Sequence, residues 1–480
     1  MQHRLHLGLG LLGSLALLAT PACGGDAAPT ATPAATPGEG APAATTGASA
    51  TPGPTPPGGP AKATNGAPPN VLIVVMDTLR ADALGTYGQK RPTSPNIDAL
   101  AAQSVVWESA WTQYTWTLPS FVSYMTSSWA RTHGWDYSMG KLDTYKKLDA
   151  KIPTIAEVFG SAGYATTGRY ANMHLKDELG FGRGFDTWKL APEPATVRAA
   201  VSDIGTWKDD GKPNFLYVHL MAPHVALLPT PESQAAIGVS VAYEPKKGLN
   251  YDHYAAAPPD QKAARQQELM DAYLACVRDG DNDVGEILKA LDASGAGGDT
   301  IVAFWSDHGE MLGEHGHIGH NMYVWEEVVE VPLFIRAPGL PARREATRVG
   351  RLIDAAPTLV ELAGLHVPDA WQGQSLLTGD QPIVGTERDS LASFKRGSWK
   401  TVEDRAKDKF MYAYDLGADP GELAQVKDQA NPGIVPLLAD SAAWRLHIPS
   451  GDNTGEGLAL SDAEHAETVK QLEALGYTEK

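Results

Sequence analysis

Two apolar runs in this chain each stop at residues that can bind a cation. Asn70-Val71-Leu72-Ile73-Val74-Val75-Met76 runs straight into Asp77-Thr78, and residues 300–305 run through Ser306 into Asp307-His308. Two carboxylates and an imidazole form a hard-to-borderline donor set that suits zinc, manganese, magnesium or calcium. Between them in the chain lies Thr115-Trp116-Thr117-Leu118-Pro119-Ser120-Phe121, ahead of a helix-like stretch at 122–130. Proline favours the first helical position, so the Thr117 hydroxyl is expected at a helix start. There the unpaired N–H groups and the helix dipole favour an anion. Held against a metal, that hydroxyl would be a competent nucleophile. Each residue also has a plainer reading. A strand-end aspartate can cap a turn, His308 can be a satisfied structural histidine, and Thr117 can cap its helix.

These groups act together only if the fold brings them to one place. Both runs lack the polar alternation of a half-exposed strand, so each is expected as a central strand covered on both faces. Residues 215–220 read as a third. Helical stretches at 94–103 and 279–292 lie between them, which predicts an α/β sandwich around a mostly parallel sheet. In such sheets ligands bind beyond the carboxyl ends of the strands, the edge to which Asp77 and Asp307 would be delivered. After about residue 365 the pattern thins to short strands, loops and a final helix at 461–475, so a smaller C-terminal subdomain is expected.

The chain has 480 residues, 43% of them apolar, and a net charge of −18 from 57 acidic and 39 basic residues. That size can bury a deep site, and that charge repels polyanions, which argues against nucleic acid as a partner. Only Cys23 and Cys276 are available, so no disulfide framework is possible; Cys276, in the helical-looking stretch 261–293, is expected as a buried thiol. Residues 1–22 read as an export signal with Arg4 as its basic start and an apolar run too short to span a membrane. It ends at Thr20-Pro21-Ala22-Cys23-Gly24, which resembles a bacterial lipoprotein cleavage site with Cys23 as the lipidated residue. Residues 23–68 collapse to Ala, Pro, Thr and Gly, a disordered tether. The expected location is therefore the bacterial cell envelope, lipid-anchored, or else the periplasm or medium, with membrane contact only through the anchor.

Several motifs, in this order, resemble the sulfatase branch of the alkaline-phosphatase superfamily. They are Pro69-Asn70 through Arg80-Ala81-Asp82, Thr117-Leu118-Pro119-Ser120, and Phe181-Gly182-Arg183-Gly184-Phe185-Asp186. Then come the stretch from His219 to His224, Ser306-Asp307-His308-Gly309-Glu310 with Gly313-Glu314-His315-Gly316, and Val331-Pro332-Leu333-Phe334-Ile335-Arg336. Tyr414-Asp415-Leu416, Ala418-Asp419-Pro420-Gly421-Glu422 and Leu475-Gly476-Tyr477 close the series. The resemblance implies an alkaline-phosphatase/sulfatase-like sandwich, with a catalytic domain at 69–365 and a C-terminal subdomain at 366–480. It implies Asp77, Asp307 and His308 as metal ligands, Thr117 at the nucleophile position and His224 as a substrate contact. His320 falls where relatives carry a lysine or histidine touching the substrate oxygens, and could serve as general acid.

The departures are as informative. Formylglycine sulfatases carry Cys or Ser at the Thr117 position and an arginine four residues on, which is Phe121 here. Threonine cannot give the aldehyde, because its β-carbon already bears a methyl group, so no formylglycine is expected. Thr78 stands for a second metal aspartate, and Asp307-His308 for a commoner Asp-Asn. The expected activity is a metal-dependent sulfatase-like hydrolase that cleaves a sulfate or phosphate ester of a small molecule or glycan, with one metal. The alternatives are a catalytically inactive anion- or glycan-binding lipoprotein and a phospho-group transferase of the cell envelope. The histidine-rich loop 314–320 could hold a second metal, although His317 also reads as a solvated loop residue.

Overall fold

The computed structural model describes residues 66–135, 147–207, 211–244, 247–320, 322–378, 383–388, 390–448 and 450–451. The export signal, Cys23, nearly all of the tether, the helix expected at 461–475 and the closing Leu475-Gly476-Tyr477 lie outside them.

An eight-stranded sheet carries the molecule. Its strands are β1 (Asn70–Met76), β2 (Val105–Trp107), β3 (Ala165–Tyr170), β4 (Thr187–Leu190), β5 (Asn214–Leu220), β6 (Thr300–Ser306), β7 (Leu333–Arg336) and β8 (Arg343–Glu345). In space they run β8-β2-β7-β6-β1-β5-β3-β4. Every pairing is parallel except those of β7, which lies antiparallel to β6 and β2. The fold is thus the α/β sandwich expected, with the two liganding strands, β1 and β6, side by side at its centre.

The unbroken apolar runs have a simple cause. Val71, Ile73 and Val75 join one core cluster while Leu72, Val74 and Met76 join another, so both faces of β1 are buried. Each such side chain contributes about 1.5–3 kcal/mol on burial. One face is covered by helices α2 (Thr117–Thr126), α3 (Ile155–Ser161) and α6 (Ala355–Leu362). The other is covered by α1 (Pro95–Ala101), α4 (Glu193–Gly205) and the 32-residue α5 (Lys262–Ala293), in which Cys276 is buried and free. This one helix contains both the pattern at 279–292 and the longer helical-looking stretch at 261–293.

A separate antiparallel sheet forms the smaller C-terminal part: β9 (Val384–Arg388), β10 (Leu391–Arg396), β11 (Trp399–Asp404) and β12 (Lys409–Asp415), with α7 (Val435–His447) packed on β10 and β11.

Candidate active site

Four neighbouring parallel strands deliver polar residues to their shared carboxyl edge. Asp77 follows β1, Asp307 and His308 follow β6, His219 is the next-to-last residue of β5, and Asn172 follows β3 by two residues. All five are buried. Sequence reasoning found the first three and missed His219 and Asn172; a histidine inside an otherwise apolar central strand was the available signal.

The turn after β1 is held under strain. Thr78 has φ 56°, a left-handed backbone costly for a β-branched residue, on the order of 1–3 kcal/mol. Four hydrogen bonds fix it. Tyr273 of α5 donates to the Thr78 carbonyl at 2.7 Å and accepts from Arg80 N at 2.8 Å. Leu79 N donates to Ser306 Oγ at 2.8 Å, and Thr78 N donates to Asp307 Oδ1 at 3.2 Å. The turn thereby ties the ends of β1 and β6 together.

Thr117 is the first residue of α2, following Trp116 in extended conformation. Pro119 takes the third helical position rather than the first, because the helix starts earlier than the proline preference suggested, and α2 ends at Thr126 with Ser127 left-handed (φ 49°) rather than running to 130. Ser120 pins this start to β6 by donating to the Asp307 carbonyl at 2.7 Å. The Thr117 hydroxyl caps nothing; it lies 3.3 Å from His308 Nε2. His308 Nδ1 donates to the Gly309 carbonyl at 3.0 Å, which leaves the Nε2 lone pair facing Thr117. Nε2 also lies 3.5 Å from Asp307 Oδ2 and 4.0 Å from Asp77 Oδ1.

The carboxylates are half satisfied. Asp77 Oδ2 accepts from Asn172 Nδ2 at 2.6 Å and from His219 Nε2, 3.2 Å away. His219 is aimed in turn by Tyr217 at 2.8 Å, and Tyr217 by Tyr124 of α2 at 2.8 Å. Asp307 Oδ1 accepts from the His308 and Thr78 amides. Asp77 Oδ1 and Asp307 Oδ2 are buried and have no hydrogen-bond partner among the described residues. Two such anionic oxygens beside an unprotonated imidazole nitrogen are surroundings that a divalent cation would satisfy. Asp77, His219 and Asp307 each place one nitrogen or carboxylate oxygen within 4.8 Å of one another, the metal-capable group among the described residues; His308, the ligand expected from the sequence, is not a member of it and lies alongside. The donor set fits a divalent metal, and the histidine-rich loop joins none there.

Electrostatics agree. Burial raises Asp77, but the imidazoles of His224, His219 and His308 outweigh it and hold the carboxyl well below its ordinary range. Burial and the like charge of Asp77 push Asp307 up instead. His308 is lowered, mainly by burial, and so favours the neutral ligand form.

The remaining wall comes from the loop after β6 and from 221–225. His320 is buried, its ring 4.3 Å from that of His308 and 5.7 Å from that of His224. Burial and His224 lower its pKa to about 3. His320 Nδ1 lies 3.2 Å from both oxygens of buried Glu310, whose pKa burial raises to about 7. His224 donates from Nδ1 to the Val225 carbonyl, and its loop is clamped by Glu193, which accepts from the Met221 and Ala222 amides. His317 is exposed and bonded to the Tyr323 hydroxyl. Phe121 does not reach this pocket as an arginine would; it is core, packed on Tyr124, Phe181, Trp188 and Tyr217.

Residues 69–365 match the family model described as Sulfatase. The chain belongs to the sulfatase family, and with it to the sulfuric and phosphoric ester hydrolases of the alkaline-phosphatase-like superfamily. It is 27% identical over 343 residues to an ulvan-active sulfatase of Formosa agariphila, 64% of this chain and 64% of that protein, so it spans just under two thirds of that relative. It is 24% identical to an arylsulfatase of Clostridium perfringens, over 75% of this chain and 90% of the other. Among solved structures, one complex with D-glucosamine-2-N,6-O-disulfate superposes with a TM-score of 0.64 at 18% identity, covering 78% and 98% of the chains. A phosphonate monoester hydrolase of Agrobacterium radiobacter gives 0.63 at 21%, covering 79% and 95%. Likeness at those identities speaks for the fold.

Proposed function

We propose that this chain is an exported hydrolase that cleaves a sulfate or phosphate ester of a glycan or small molecule, with Thr117 as nucleophile and one divalent cation. The observation that carries it is the Thr117 hydroxyl at 3.3 Å from His308 Nε2, beside two carboxylates that each have one oxygen without a hydrogen-bond partner among the described residues. Asp77, Asp307 and His308 would hold the ion, with His219 and Asn172 orienting Asp77. When bound, the ion supplies positive charge that favours the Thr117 alkoxide and the oxygens of the transferring group.

The residues supply the rest. Thr117 Oγ attacks sulfur or phosphorus in line, and a covalent Thr117 ester forms as the bond to the leaving oxygen breaks. The start of α2 stabilises the transferring oxygens. His320 donates a proton to the leaving group, His224 contacts the substrate, and water then releases the acid. Support for a sulfated glycan comes from relatives named an ulvan-active sulfatase and an N-acetylglucosamine-6-O-sulfatase. Zinc, manganese, magnesium and calcium all suit the donors. Export and a lipid anchor at Cys23 rest on the N-terminal motif; no helix among the described residues is long and apolar enough to cross a membrane.

The test is turnover of aryl sulfate, phosphate monoester and phosphate diester side by side, for the native chain and Thr117→Ala. The expected result is a loss on the order of 10^4-fold or more in kcat with an unchanged circular dichroism spectrum. Undiminished activity of Thr117→Ala would remove the nucleophile assignment. An inert native chain that still binds sulfated glycan would favour the inactive binding protein.

A further inference from the structure

Esters of nitrophenol expel their leaving group without a proton, whereas esters of simple alcohols need one as the bond breaks. The structure carries more apparatus for that proton than the proposed reaction with an aryl ester requires. Glu310 is buried, and both of its oxygens lie 3.2 Å from His320 Nδ1. Its Oε2 also accepts from the Tyr251 hydroxyl at 2.8 Å. Tyr251 opens the short helix Tyr251–Ala255 in the stretch 226–259, whose sequence shows no chemistry of its own. The same Tyr251 ring packs on the residue before His320: a Cβ built on Gly319, which has φ 85°, would meet it at 3.7 Å. One tyrosine thus fixes both the carboxylate behind the imidazole and the backbone turn that carries it. The short helix is itself docked, with Tyr254 donating to the Gly313 carbonyl at 3.3 Å and His253 paired with Glu268 of α5.

We infer that Glu310 is the positioning residue for His320, anchored by Tyr251, and that this site is built to expel an unactivated alcohol of the sugar or alkyl kind. The inference rests on His320 being the proton donor, as proposed above. Glu310 holds the Nδ1 proton and so commits Nε2 to the ester. As the bond from the Thr117 alkoxide to sulfur or phosphorus forms, the bond to the ester oxygen breaks and its electron pair leaves with that oxygen. His320 Nε2–H passes its proton to it, giving the free alcohol, while the second proton of the pair stays between Nδ1 and Glu310. The water that later cleaves the Thr117 ester returns a proton to Nε2 and leaves the Thr117 alkoxide.

The test compares one acid esterified with nitrophenol and with a simple alcohol, using native protein, Glu310→Gln, Tyr251→Phe and His320→Ala. Glu310→Gln is expected to lower kcat/KM about 10–100-fold for the alkyl ester and only a few-fold for the nitrophenyl ester. Tyr251→Phe is expected to shift the same ratio in the same direction by a smaller factor, and neither change should add to the loss in His320→Ala. Should Glu310→Gln fail to fold, the shift in ratio by Tyr251→Phe decides. Equal losses on both esters for Glu310→Gln and Tyr251→Phe, while His320→Ala still discriminates between them, would overturn the inference and leave the proton-donor reading standing. A His320→Ala protein with an unchanged ratio would remove both.

Discussion

Lys400 and Asp307 are both fully buried, yet only Lys400 is surrounded by opposite charge. Its ammonium lies 2.9 Å from Glu326 and 2.7 Å from Glu422, and Lys395 lies 2.9 Å from the other oxygen of Glu326. The Trp111 indole donates to Glu326 as well. This cluster locks the C-terminal sheet onto the segment that follows the histidine-rich loop, and its cations and anions meet. At the strand edge, Asp307 faces Asp77 instead, with one oxygen of each left over. Buried charge that closes on itself holds parts of a fold together, whereas buried charge left open is held ready for something that arrives later.

Substitutions at the two clusters should therefore separate activity from stability in opposite directions. The largest expected effect is Asp307→Asn. The amide oxygen can still accept from the Thr78 and His308 amides, so turnover should fall on the order of 10^3-fold or more. In chelator, however, the melting temperature should hold or rise, because the repulsion with Asp77 is gone. Lys400→Met should do the reverse, costing about 3–5 kcal/mol in urea unfolding by stranding Glu422 and leaving Glu326 with Lys395 alone as its cation. Metal content should stay as in the native chain.

A third test lies between the clusters, at the clamp on the His224 loop. Burial and Asp283 raise Glu193 to about 7, from an ordinary value of 4.5. A carboxyl raised on folding contributes stability that is fully present below about pH 4.5 and is lost as pH rises through about 7. The native chain should accordingly lose stability across that window with a slope of at most roughly 1.4 kcal/mol per pH unit from this group. In Glu193→Gln, which can keep one acceptor for the loop amides, urea unfolding at several pH values should show a flatter slope. The smallest expected effect is Tyr273→Phe, about 1 kcal/mol from its hydrogen bonds to the Thr78 carbonyl and from the Arg80 amide. Weaker metal affinity by calorimetry should accompany it, and Thr78→Gly, free of the left-handed strain, should restore that affinity.

How much of this was legible in the sequence depends on where each residue sits. Asp77, Asp307 and His308 were readable because an apolar run that stops at a charged residue marks both a strand and its functional end. Thr117 was readable through its proline, although the helix begins two residues earlier than a first-position proline would set it. His219 and Asn172 were not found, because one lies within a strand and the other two residues past one, and only the side-by-side order β6-β1-β5-β3 makes them neighbours of Asp77. Glu310 and Tyr251 escaped for the same reason: they are 59 residues apart in sequence and meet only in the folded chain. The lysine–glutamate cluster gave no pattern either, since its members come from the short helix Glu326–Val329, a loop and two strands of another sheet.

The central claim is that one cation belongs between Asp77, Asp307 and His308, next to Thr117. Metal analysis of native protein purified from metal-supplemented medium tests it most directly, beside Asp77→Asn and Thr117→Ala. The account predicts one divalent ion per native chain, retained in Thr117→Ala and lost in Asp77→Asn. A native chain that holds no ion, or an Asp77→Asn chain that holds as much as the native, would contradict it.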